Sequence, residues 1–297
     1  MDGWSGGREE NGDVALRETE TRIVWRWSSC KKSQQASSSR HPKLSNTAGP
    51  TAMETALFSA ASLFHDPDDP DEMQVGAEAG AQAMDYVERV HEFPGMELSI
   101  REFSCHQLNA NLLWPGTFSF ADWLVKNKSI LHGRRILELG SGTGALAIFL
   151  RKAFQVDITT SDYDDEEIEE NIAYNCKANS LDVLPHIRHT WGDQFPVLIP
   201  DWDIVIASDI LLYVKQYPNL VRTLSFILKE HKGSSQNTGN TAITNKSGTQ
   251  VPVKFPMFLM SWRRRIGKDW CLFFEECKKA GLEVQHLGDL VYLIYTK

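Results

Sequence analysis

Three acidic residues, each near the end of a short apolar run, are the side chains whose type and spacing best suit chemistry. Glu138 lies in residues 135–150, RILELGSGTGALAIFL, two places ahead of a turn with glycines at 140, 142 and 144. Ile136, Leu137 and Leu139 before the glycines, and the apolar run 145–150 after them, predict a strand, a tight turn and a buried helix. A backbone that reverses so sharply and lets a ligand touch it has no room for Cβ atoms, and the amides that open the helix point into the crevice. Gly140-x-Gly142-x-x-Ala145 also fits the fingerprint of a dinucleotide site. Glu138 separates the two readings: it would repel a pyrophosphate, whereas it accepts hydrogen bonds from a cationic amino-acid or sulfonium ligand.

The second acid, Asp162, ends the run VDITTS. It follows Glu138 at roughly the spacing, about 20 residues, at which a carboxylate at the tip of the second strand binds ribose hydroxyls. The third, Asp209, follows the apolar run 203–208, DIVIAS, which reads as a strand buried on both faces. In open parallel sheets the carboxyl ends of the strands line the ligand crevice, so Asp209 stands where a reaction would be carried out. The other reading is that Asp209 caps the next turn. An amine nucleophile with a reference pKa of about 10.4 must lose a proton, and a guanidine must be polarised by a carboxylate. Asp209 is the acid placed for either task, and Tyr213 is placed to orient the acceptor nitrogen.

Around these acids the chain alternates strands and helices. Residues 96–107 predict a strand or hairpin ahead of the core, then Leu112-Leu113-Trp114-Pro115-Gly116 breaks the chain. Thr117 or Ser119 is expected to cap a helix through Phe120, Trp123 and Leu124 to about residue 128. Residues 164–167 are all acidic and suit a helix N-terminus, with Ile168, Ile172, Ala173 and Cys176 as its apolar stripe. Residues 184–190 read as a third strand ending in Trp191-Gly192-Asp193, and Tyr217 to Leu228 carry a further helical stripe. Residues 232–249 have no core-forming pattern and are expected to be a long mobile loop. A fifth strand over 255–262 precedes Arg263, Arg264 and Arg265, which read as a solvated turn or a substrate contact. A helix stopping at Gly281 and a strand pair about Gly288-Asp289 complete the chain. Five strand-helix alternations and a terminal strand pair predict an α/β fold: a Rossmann-like, seven-stranded, mostly parallel sheet with helices on both faces and a C-terminal antiparallel strand.

With 297 residues, 42% of them hydrophobic, the chain can bury one good core plus appendages. No apolar run approaches the ~18 residues of a membrane span, so a soluble protein without membrane contact is expected. The net charge of −8 is uneven: residues 53–100 carry nearly all the excess acid, 1–52 are slightly basic, and the rest is close to neutral. No basic patch argues for nucleic acid. The acidic block Asp66, Asp68, Asp69, Asp71 and Glu72 reads as a solvated segment, or as an arm that attracts a basic protein. Residues 1–75 are expected to be a disordered extension and 76–297 the folded domain; Met53 offers an alternative start, and the acids in 1–20 argue against a transit peptide. Cysteines 30, 105, 176, 271 and 277 form no C-x-x-C pair, which predicts idle thiols in a reducing compartment and no metal.

From about residue 96 onward the chain resembles the class I, seven-strand S-adenosylmethionine-dependent methyltransferases, and among them the small family rich in protein lysine methyltransferases. The resemblance rests on Leu113-Trp114-Pro115-Gly116, residues 136–144, Ser161-Asp162, Asn171 and Asn175, Thr190-Trp191-Gly192, and Ala207-Ser208-Asp209. It implies S-adenosylmethionine as methyl donor, with Glu138, Gly140, Asp162, Trp191 and Ser208 in its pocket. Ser141, Gly142, Gly144 and Tyr163 join them as neighbours of the two acids. Trp114 is assigned either to the pocket wall or to the core, and Trp191 with Asp193 either to the adenine or to a simple turn. The family commonly carries D-x-x-Y after the fourth strand, whereas here Leu212 holds the tyrosine's place and Tyr213 comes one residue late. The expectation is a monomeric protein N-methyltransferase acting on lysine or arginine side chains in the cytoplasm, with the nucleus as a second compartment. A small-molecule N-methyltransferase and a cofactor-binding interaction protein without turnover are the alternatives.

Overall fold

The computed structural model describes residues 86–104, 106, 110, 112–233, 241–263 and 270–297. The expected extension 1–75, the acidic block, Met53 and the arginines at 264 and 265 lie outside the described residues. The chain opens with an antiparallel hairpin, β1 (Tyr86–Phe93) and β2 (Met96–Phe103), followed by α1 (Pro115–Lys126). The core then runs β3 (Arg135–Leu139), α2 (Ala145–Phe154), β4 (Asp157–Asp162), α3 (Glu166–Ala178), β5 (His186–Arg188), β6 (Ile204–Ser208) and α4 (Tyr217–Lys229). A small hairpin, β7 (Ala242–Thr244) and β8 (Gln250–Pro252), precedes β9 (Met257–Ser261), α5 (Trp270–Lys279), β10 (Leu282–Gly288) and β11 (Val291–Thr296).

Seven strands form one sheet in the order β10-β11-β9-β6-β3-β4-β5. Only β11 runs against its neighbours, pairing antiparallel with both β9 and β10. The chain leaves central β3 towards β4 on one side and later returns to β6 on the other, and the crevice at such a reversal is where ligands of open sheets bind. Successive residues of a strand face opposite sides, so the central strands feed two cores. Ile136, Ile204, Ile206 and Leu259 pack with α1, α2 and α3, whereas Leu137, Val205, Phe258 and Met260 pack with α4 and α5. The alternation puts Glu138 on the first of these faces, where an acid interrupts an otherwise apolar row.

The structure corrects the sequence reading in three places. No helix bridges β5 and β6; residues 189–203 cross between them without one, although Phe195 and Trp202 are buried. Helix α1 starts at Pro115 with Trp114 at its N-cap, ahead of both Thr117 and Ser119, since proline suits the first helical position and its missing N–H costs nothing there. The span expected as a mobile loop, 232–249, holds β7, which pairs with β8 just beyond it, and Ile243 and Val251 of this hairpin are buried in the core. Thr244 donates its amide to Asn127 Oδ1 at 3.1 Å, which anchors that hairpin to the end of α1.

The first hairpin is bound to the core by side chains. Asn171, Asn175 and Asn179 lie four residues apart and so share one face of α3. Along β2, Ser99 exchanges both backbone hydrogen bonds with Asn179 (3.1 and 2.7 Å), and Arg101 does the same with Asn175 (2.7 and 3.1 Å). Asn171 accepts from Arg101 Nε at 2.7 Å. The asparagine amides thus act as a substitute strand for the far edge of β2. Asn175 also donates to the Thr143 carbonyl at 2.9 Å, which joins the hairpin to the glycine turn. Replacing Asn175 by Leu leaves those buried backbone groups without partners, and urea unfolding is expected to show a loss of about 3 kcal/mol; a loss below about 1 kcal/mol would mean that water or Asn171 takes over.

Candidate functional site

A cleft lies at the carboxyl ends of β3, β4 and β6. All of the sequence-assigned residues line it except Gly144 and Asp193: Trp114, Glu138, Gly140, Ser141, Gly142, Asp162, Tyr163, Trp191, Ser208, Asp209 and Tyr213. The cleft also takes in Ala110, Leu112, Leu113, Thr117, Thr143, His189, Thr190, Ile210, Leu212 and Gln216, which the sequence reading had not assigned to it. Most of these are apolar or small residues in irregular segments, where no periodicity marks the face they present. A pairing signal was available only for His189 and Thr190, which stand beside Trp191 at the tip of β5.

The turn after β3 needs its glycines for different reasons. Gly140 has φ 65°, and a Cβ there would lie 2.6 Å from Ile210 Cγ2 and 3.7 Å from the Trp191 ring. Gly144, at φ 74°, is the left-handed N-cap of α2, and a Cβ there would lie 3.0 Å from Ile172 Cγ2 of α3. Gly144 therefore serves helix packing and does not line the cleft, a correction to its assignment. Asp193 is corrected too: it is exposed in the turn after β5, and its amide donates to the Thr190 carbonyl at 3.1 Å.

Asp162 closes the turn. Its carboxylate accepts from the Gly142 amide at 2.6 Å and from the Tyr163 amide at 2.7 Å. Ser141 adds a second tie to the end of β4, donating its amide to the Ser161 carbonyl at 3.1 Å and accepting the Ser161 amide on Oγ at 3.1 Å. Burial pushes the Asp162 carboxyl up, against the pull of these two amides. Glu138 is buried and its Oε2 has no hydrogen-bond partner among the described residues. Burial, with the charge of Asp162 adding to it, raises the Glu138 carboxyl to about 8. An orphaned acid oxygen in a cleft wall is a costly feature unless a ligand supplies the missing donor or charge.

At the other end of the cleft Asp209 combines two unusual features. Its φ is 56°, a left-handed value for a non-glycine residue, and its side chain is buried. Its amide donates to the Ser261 carbonyl at 2.9 Å, and its Oδ2 accepts the Gly116 amide at 2.8 Å. Asp209 thus caps the first turn of α1, 93 residues earlier in the chain, rather than the turn that follows it. A Cβ on Gly116 would collide with this carboxylate. Ser208 Oγ shares a hydrogen bond with Thr117 Oγ1 at 2.9 Å, which adds a second stitch between β6 and α1.

The profile of a protein family described as lysine methyltransferases matches residues 92–236, the span that runs from the first hairpin through α4 and holds every cleft residue. Over this span, just under half of the chain, the sequence is similar to that family. It is 26% identical over 154 residues to the protein N-terminal and lysine N-methyltransferase efm7 of Aspergillus fumigatus, covering 47% of this chain and 59% of that one. It is 28% identical over 119 residues to the histone-arginine methyltransferase METTL23 of Xenopus laevis, covering 39% of this chain and 51% of that one. A third relative is the EEF1A lysine methyltransferase 3 of Xenopus tropicalis, at 27% over 148 residues, covering 48% and 64%. The chain thus spans a little over half to just under two thirds of the length of these relatives.

The cleft predicts its own pH signature. Glu138 has a reference value of 4.5 and a folded value of about 8, so between these the folded state holds a proton that the unfolded state has lost. Stability contributed at this site is complete below the reference value and is lost as pH rises towards the folded one. Glu138→Gln mimics the protonated acid and removes that slope. Unfolding of the ligand-free protein is expected to show equal stability for the two forms near the acid end of the window and an advantage for the Gln variant at the alkaline end; parallel stability curves would contradict the assignment.

Proposed function

We propose that the protein transfers a methyl group from S-adenosylmethionine to a nitrogen of a protein side chain, lysine or arginine. The observation that carries this reading is the buried, half-partnered carboxylate of Glu138 beside a glycine turn at the reversal point of the sheet. When bound, the donor supplies an electrophilic methyl on a cationic sulfonium, together with an ammonium, a ribose and an adenine. The residues present fit such a ligand. Glu138 has a free oxygen for the ammonium, the second lone pairs of the Asp162 carboxylate suit ribose hydroxyls, and the bare turn lets the ligand approach the backbone. Trp191 beside Gly140 offers an aromatic face.

Methyl transfer is an in-line displacement in which the new N–C bond forms as the S–C bond breaks and the acceptor nitrogen sheds a proton. Alignment and exclusion of water are then the protein's main tasks. Asp209 accepts a hydrogen bond from the acceptor nitrogen while its other oxygen stays on the Gly116 amide. Tyr213, which opens the segment leading into α4, orients that nitrogen. The relatives' names, spanning lysine, protein N-termini and arginine, support a protein acceptor. The buried thiols Cys176 and Cys277, of which burial pushes Cys277 up to about 12, support action in a reducing compartment, the cytoplasm with the nucleus as a second site.

The double duty of Asp209 makes two variants informative. Asp209→Asn keeps an oxygen for Gly116 and is expected to retain the fold and donor affinity while losing methyl transfer by about 100-fold or more. Asp209→Ala is expected to lose both transfer and stability. Incubation with radiolabelled donor and an undigested proteome reads transfer; an Asn variant turning over at the native rate, or label found only in the small-molecule filtrate, would overturn the proposal.

A further inference from the structure

Leu113 and Trp114 line one side of the cleft just ahead of Pro115 and Gly116, the first residues of α1, and among the described residues this segment pairs with no strand. Its backbone is held from two directions by buried acids. Asp209 takes the Gly116 amide at 2.8 Å at one end, and Glu102 takes the Leu113 amide at 3.3 Å at the other. Pro115 between them has no amide to give. Glu102 is the penultimate residue of the hairpin strand β2, is 2% exposed, and also accepts from His91 Nε2 at 2.9 Å and from Arg89. Burial would raise its carboxyl, but the His91 and Leu113 hydrogen bonds and the Arg89 charge hold it below the usual carboxylate range.

A buried acid is an expensive way to attach this hairpin. Leu98, Ile100 and Phe103 already bury its apolar face, and the three asparagines of α3 already satisfy the edge of β2. The Arg89 side chain is 48% exposed, so an ion pair alone would form equally well with an acid at the surface. What the surface position could not do is reach the Leu113 amide, eleven residues away in sequence and part of the cleft wall.

We propose that Glu102 is a positioning residue for the ligand cleft: it holds the Leu113 amide, and with it the wall formed by Leu113 and Trp114, from the β1–β2 hairpin. The proposal rests on the reading of the cleft as an S-adenosylmethionine site. Loosening a supporting contact by an ångström is enough to weaken a site whose lining residues are all still present. It also gives the hairpin a task beyond covering the core, because whatever shifts β2 shifts the wall.

Two conservative variants separate reach from charge. Glu102→Gln keeps an oxygen at the Leu113 amide and loses the charge, whereas Glu102→Asp keeps the charge and ends one methylene short. Titration of S-adenosylmethionine into the full chain by calorimetry is expected to give a dissociation constant for the Gln variant within about threefold of the wild type, and for the Asp variant a weakening of about tenfold or more. Exchange of the Leu113 amide, read by NMR without ligand, is expected to stay slow in the Gln variant and to speed up in the Asp variant. The reverse ranking, equal weakening of both variants, or native affinity in both would overturn the proposal, since an ion-pair role needs the charge and not the reach. Failure of the wild type to bind the donor would instead sink the cofactor reading, while the exchange measurement would still decide what Glu102 holds.

Discussion

Asp162 is the residue on which the cleft depends, because its two oxygens are spent on the amides of Gly142 and Tyr163 at once. One amide belongs to the turn after β3 and the other to the turn after β4, so the carboxylate pins two strand ends against each other across the floor of the crevice. Charge-assisted hydrogen bonds of this kind are about twice as strong as neutral ones. They allow the turn to carry positive φ at Gly140 and Gly142 without drifting, and they leave Glu138, one strand position from the turn, facing the cleft with an oxygen unspent.

The same device recurs on the far side. Asp209 spends one oxygen on Gly116 and Glu102 one on Leu113, so three acids from three elements hold the turns and the wall through backbone amides. The arrangement explains why the cleft can be lined by irregular chain and still be defined: the segments that carry Leu113, Trp114 and Trp191 have no ladder of their own. The asparagine face of α3 does comparable work for β2, and through Asn175 and Thr143 it ties the hairpin to the glycine turn. Electrostatics and packing are therefore not separate layers in this molecule. An acid whose role in chemistry is proposed also caps a helix.

Much of the framework was legible without coordinates. The alternation of apolar runs with helical stripes located β3, β4, β6, β9 and the helices α2 to α5 to within a few residues, because strands of a parallel sheet are apolar on both faces and helices repeat at a different period. The acid–glycine pattern about Glu138 and the spacing to Asp162 marked the crevice, since few residue types tolerate that turn. What misled was local chemistry read without its neighbours. Thr117 and Ser119 look like caps, but the true start of α1 is two residues before Thr117, where Pro115 needs no hydrogen bond and Gly116 finds Asp209. Residues 242–249 look like linker because a three-residue strand is too short to show a period, yet Ile243 is fully buried.

The one-dimensional pattern by itself determined the sheet, the turn and the identity of the acids near it, because hydrophobic period and glycine content are properties of neighbours along the chain. Only the tertiary structure decided what each acid holds. Gly116 and Asp209 are 93 residues apart, Leu113 and Glu102 eleven, and nothing in their types announces that they meet. It also decided that Gly144 faces α3 and Asp193 faces solvent, since which side of a turn a residue presents is set by the elements packed against it and not by its place in a motif.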